Sequence, residues 1–115
     1  MLVIIWNVAG VILITNDMRA PGPTASLLAA GVMLLLASML IYSWRKKTWL
    51  YISISIVSFI GAMVAIYQAF TVNPDLWLSN YWRYCGVALN LLGVVAHSFG
   101  ISLNILVRGA HLKRQ

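Results

Sequence analysis

"GVALNLLGVVAHSFGISLN", residues 86–104, decides the fold because small and polar residues recur along it at a fixed spacing. Glycine returns every seven residues, and a polar residue returns at the same interval between the glycines. This polar seam consists of Gly86, Asn90, Gly93, His97, Gly100 and Asn104. Steps that alternate between four and three residues are typical of a helix that packs along one side. The stretch therefore predicts a helix with one small, polar face.

The composition places this helix in a membrane. The chain has 115 residues, of which 62% are hydrophobic and 9% are charged, whereas a soluble domain is about 25% charged. Four apolar stretches follow one another, at residues 1–15, 24–44, 48–72 and 84–107. The last three exceed the roughly 20 residues that cross a bilayer. The sequence thus predicts an all-α integral membrane protein, a single transmembrane domain that ends in a basic tail at residues 108–115.

The first stretch is short for a transmembrane helix. Its 15 residues extend about 22 Å at ~1.5 Å per residue, whereas the hydrocarbon core is roughly 30 Å thick. We expect it to cross where the bilayer thins or to enter only partway. No basic residue precedes it and no cleavage-site pattern follows closely, so we do not expect removal as a signal peptide.

Short links between the stretches predict antiparallel neighbours and an up-down bundle of four helices. The net charge of +6 is concentrated on one side of this arrangement. The basic clusters on that side consist of Arg45, Lys46, Lys47, Arg108, Lys113 and Arg114. By the positive-inside rule they face the cytoplasm, as do the C-terminus and, if the first helix spans, the N-terminus. A cell or inner membrane is the expected location, with the lipid bilayer rather than nucleic acid as the partner. The clusters have a second interpretation, the binding of anionic headgroups.

The loop before the fourth stretch predicts a short interfacial helix. Asn73 is a suitable N-cap, and Pro74 is tolerated at a first helical position. Trp77, Tyr81 and Tyr84 would then share one face. This face is either a docking surface or part of the aromatic belt at the membrane boundary. The belt on the other side would consist of Tyr42, Trp44, Trp49 and Tyr51.

Inside lipid the polar seam must face protein, a cofactor or a water-filled cavity, because hydrocarbon cannot satisfy its polar groups. Glycine permits close approach of another backbone, and asparagine can hydrogen-bond across the contact. Small and polar residues on the first and third helices are the candidate partners. They are Asn7, Gly10, Ser58, Gly61, Ala65 and Gln68. The same seam would alternatively join two copies of the chain.

Catalysis is not expected. Both acidic residues, Asp17 and Asp75, lie in predicted external loops, and Cys85 is the single cysteine. The positions of these residues and of His97 do not bring together a nucleophile, a base and an orienting group. No metal site is predicted from them.

Three functions remain open. The first is a non-catalytic accessory or assembly subunit of a homo-oligomer or a larger membrane complex, held by the polar seam. The second is a homo-oligomeric transporter or channel for a small solute, lined by the same polar residues. The third is a redox subunit in which His97 binds haem, although no cofactor is required by the first two.

Overall fold

A computed structural model describes residues 2–18, 22, 26–46 and 48–112, without the side chains of residues 45–46 and 108–112. These residues form four α-helices: α1 (Leu2–Thr15), α2 (Leu27–Lys46), α3 (Thr48–Thr71) and α4 (Asn80–Leu112). A single 3-10 turn, Pro74–Leu76, precedes α4. The helices α2, α3 and α4 are long and apolar enough to cross a membrane. The prediction of an all-helical chain with one short and three long apolar helices is confirmed.

Local capping explains where α2 and α4 begin. The hydroxyl of Ser26 accepts a hydrogen bond from the backbone N–H of Ala29 at 3.1 Å, so α2 starts at Leu27. The hydroxyl of Ser79 accepts from the N–H of Trp82 at 3.4 Å. Because Ser79 acts as a cap, α4 begins at Asn80 rather than at residue 84. Its other end also exceeds the prediction, since no proline interrupts the chain and the helix continues from residue 107 to Leu112.

The end of α1 is closed by a left-handed residue. Asp17 has a φ of 56°, and the N–H of Met18 donates to the carbonyl of Leu13 at 2.9 Å. This is the Schellman arrangement that terminates helices. Asn16 adds a side-chain hydrogen bond to the carbonyl of Ile12 at 2.8 Å. The polar residues after the first apolar stretch therefore stop α1 after 14 residues.

Each helix packs against its neighbour in sequence, and the most extensive contact joins α3 to α4. Tyr51 lies beside Gly100, and Ala62 lies beside Gly93. Residue numbers rise along α3 as they fall along α4, so these two helices are antiparallel. We call the end of the molecule where α1 stops and α4 begins the loop end, and the end where α2 passes to α3 the turn end.

Because α1 is short, it lies beside only the first part of α4. The rings of Trp6 and Trp82 are 5.5 Å apart, and Trp6 also approaches Gly86. From Trp6 to the start of α1 at Leu2 is about 6 Å, whereas from Gly86 to His97 is about 16 Å, at ~1.5 Å per residue. The half of α4 toward the turn end therefore lies beyond α1.

The buried interior is small, and its most deeply buried residues are small ones. Ser43 and Ser55 are fully buried at 0% exposure, and Ala69 is nearly so. Small side chains let the helices approach closely. The outer surfaces are apolar by contrast: Leu28 is 80% exposed and Ile41 is 77% exposed. Exposed apolar surface on this scale requires lipid or a protein partner to cover it.

Candidate functional site

The three glycines of the polar seam all face other parts of the same chain. A Cβ added to Gly93 would lie 3.9 Å from the Cβ of Ala62, which is an ordinary contact. A Cβ added to Gly100 would overlap the hydroxyl of Tyr51 and lie 3.3 Å from its Cζ. At Gly86, the added Cβ would lie 3.6 Å from the ring of Trp77. The glycines therefore permit contact within the chain.

The asparagines of the seam bond to their own helix. The side-chain Nδ2 of Asn90 donates to the carbonyl of Gly86 at 2.8 Å, and that of Asn104 donates to the carbonyl of Gly100 at 2.9 Å. Among the described residues neither amide bonds to another helix. The expectation of hydrogen bonds across the seam is therefore wrong for the single chain. Asparagine reaches the carbonyl four residues earlier, and the glycine there carries no side chain to cover that carbonyl.

The predicted partner positions on α1 and α3 differ in their surroundings. Asn7 and Gly10 are buried, but the Nδ2 of Asn7 donates to the carbonyl of Val3 at 2.9 Å and approaches the sulfur of Met33 in α2 at 3.6 Å. Gly61 is exposed, and among the residues that the structure describes an added Cβ would meet nothing within 4 Å. The remaining positions are half-buried, namely Ser58, Ala65 and Gln68.

Three aromatic residues meet the glycines of the seam: Tyr51 at Gly100, and Trp6 and Trp77 at Gly86. Tyr51 is only 8% exposed and packs edge to face against Trp44, with ring centroids 5.1 Å apart. Its side chain is therefore buried within the chain. The sequence contained a signal for this burial. If α3 and α4 are antiparallel neighbours, Gly100 lies in the part of α4 opposite Tyr51, and a glycine there provides space for a ring on the facing helix.

The predicted aromatic face before α4 does not form. Asn73 does cap the 3-10 turn, since its Oδ1 accepts from the N–H of Asp75 at 3.0 Å, but the turn ends at Leu76. Trp77 lies outside any helix and is half-buried beside Gly86 and Gly22. Tyr81 and Tyr84 remain exposed in the first turns of α4. The absence of a Cβ at Gly22 and at Gly86 leaves room for the Trp77 ring.

A groove of about 370 Å³ lies between α2 and α4 toward the turn end. Its lining residues are Leu40, Ile41, Trp44, Tyr51, Ala96 and His97. The walls are mostly apolar. His97 is half-buried and makes no hydrogen bond to any residue that the structure describes.

The basic clusters can be placed only in part. Arg45 and Lys46 are the last residues of α2, directly after the groove residue Trp44. Arg108 belongs to the last turns of α4. Lys47, Lys113 and Arg114 lie outside the described residues.

Within the described ranges, no three histidine, cysteine, aspartate or glutamate side chains gather where they could hold a metal ion. Cys85 is a half-buried free thiol beside Gly86 in sequence. The one histidine of the seam adjoins hydrocarbon side chains in the groove.

The sequence matches no protein-family model, no curated protein and no solved structure.

Proposed function

We propose that this chain is an integral membrane protein with an up-down arrangement of helices. The lengths and hydropathies of α2, α3 and α4 support three spans. The basic residues after Trp44 and after Val107 favour a cytoplasmic turn end and a cytoplasmic C-terminus. The 14 residues of α1 extend about 21 Å, so α1 enters from the opposite side and reaches the cytoplasmic surface only where the bilayer thins.

Its role in this proposal is that of a non-catalytic accessory or assembly subunit, in a homo-oligomer or in a larger membrane complex. One observation carries the proposal: the outer surfaces of α2 and α3 contain glycines against which no described residue packs. Gly31 and Gly61 are both exposed, and an added Cβ at either would meet no described atom within 4 Å. Glycine weakens a helix by about 0.5–1 kcal/mol relative to alanine. In a membrane helix this loss of stability is offset when the glycine allows a partner helix to approach closely.

This proposal divides the glycines into two groups. Those of the polar seam hold α4 within the chain, as Gly100 does beside Tyr51. Gly31 and Gly61 are available to a second chain. Association would then occur through the outer faces of α2 and α3, while the seam maintains the subunit that presents them.

The mass of the native complex in mild detergent tests this role. Gly61→Leu adds a large side chain to open space, so we expect the fold to persist and the complex to dissociate to a lower mass. Ile60→Leu is the matched control because Ile60 is exposed on the same helix and the exchange conserves volume. Circular dichroism verifies that helicity is unchanged in both variants. A wild-type chain that is monomeric and purifies alone would contradict the proposal.

A transport function is the second candidate, and it draws on the partial exposure of Asn90, His97 and Asn104. Single-cysteine substitutions along residues 86–104, made in a Cys85→Ser background, would be exposed to a water-soluble thiol reagent. Labelling with helical periodicity favours a water-filled passage, whereas uniform protection excludes it. Absorption spectra of the same purified samples test the haem hypothesis, because a haem ligated by His97 would give a visible band.

A further inference from the structure

We draw no further inference here: the strongest candidate, the short apolar groove between α2 and α4 that Tyr51 and His97 line, carries none, because nothing in the described part of the chain shows what covers it.

Discussion

Gly100→Ala is the most direct perturbation of the polar seam. The added Cβ overlaps the hydroxyl of Tyr51 and lies 3.3 Å from its Cζ, and Tyr51 is held in place by burial and by the ring of Trp44. Displacing a buried side chain in this way costs about 1–3 kcal/mol. Gly93→Ala is the comparison, since its Cβ would lie 3.9 Å from the Cβ of Ala62.

The comparison between the two variants cancels the gain in helix propensity, because both replace glycine in α4 by alanine. We therefore expect Gly100→Ala to be less stable than Gly93→Ala by about 1–3 kcal/mol. Reversible unfolding by SDS in mixed micelles, followed by tryptophan fluorescence, gives the free energies of unfolding. Near-ultraviolet circular dichroism should also change in Gly100→Ala, because Trp44 and Tyr51 form a ring pair.

Tyr51→Phe provides the decisive control. It removes the hydroxyl that the Gly100→Ala methyl would overlap, so the double variant should recover about 1 kcal/mol relative to the sum of the single changes. Equal stability of Gly100→Ala and Gly93→Ala would refute the proposed packing of α4 against α3. Strict additivity of the Gly100 and Tyr51 substitutions would refute the specific contact.

At the loop end, Gly22→Ala should disturb Trp77, because the added Cβ would lie 2.9 Å from the indole ring. Gly86→Ala should be tolerated, because its Cβ would lie 3.6 Å from the same ring. Near-ultraviolet circular dichroism distinguishes the two variants, and equal spectra would contradict this prediction. Asn73→Ala removes the cap of the 3-10 turn and should cost about 1 kcal/mol, with faster amide exchange in that turn; unchanged exchange would argue against the cap. Asn104→Ala removes a bond within its own helix, so we expect a loss of only about 0.6 kcal/mol in SDS unfolding; a loss above roughly 2 kcal/mol would indicate a partner outside the chain.

Several features of the fold follow from local sequence. Hydropathy and length identify three helices that can cross a membrane, because each long apolar stretch must satisfy its backbone internally. Asn73 and Pro74 correctly predict a helical turn, because capping depends on residues within one turn. Ser26 and Ser79 specify the starts of α2 and α4 by the same mechanism. These features involve only neighbours along the chain.

The contacts of the polar seam were not predictable in the same way. The sequence identifies the face of α4 that carries Gly93 and Gly100, but it did not identify Tyr51 and Ala62 as the residues opposite. The small and polar residues Ser58, Gly61, Ala65 and Gln68 had made another face of α3 the predicted partner of the seam. Gly61, however, is exposed. In an apolar helix every side is hydrophobic, so periodicity indicates poorly which face is buried.

By itself, the sequence determined the helices and the small, polar face of α4, because hydropathy and glycine spacing are properties of single segments. The tertiary structure decided that the Trp77 ring packs beside Gly86 and that the groove at His97 lies beyond α1. Those outcomes depend on the rotation and axial shift of one helix relative to another. Side-chain contacts between helices set these two quantities, and residues distant in sequence supply them.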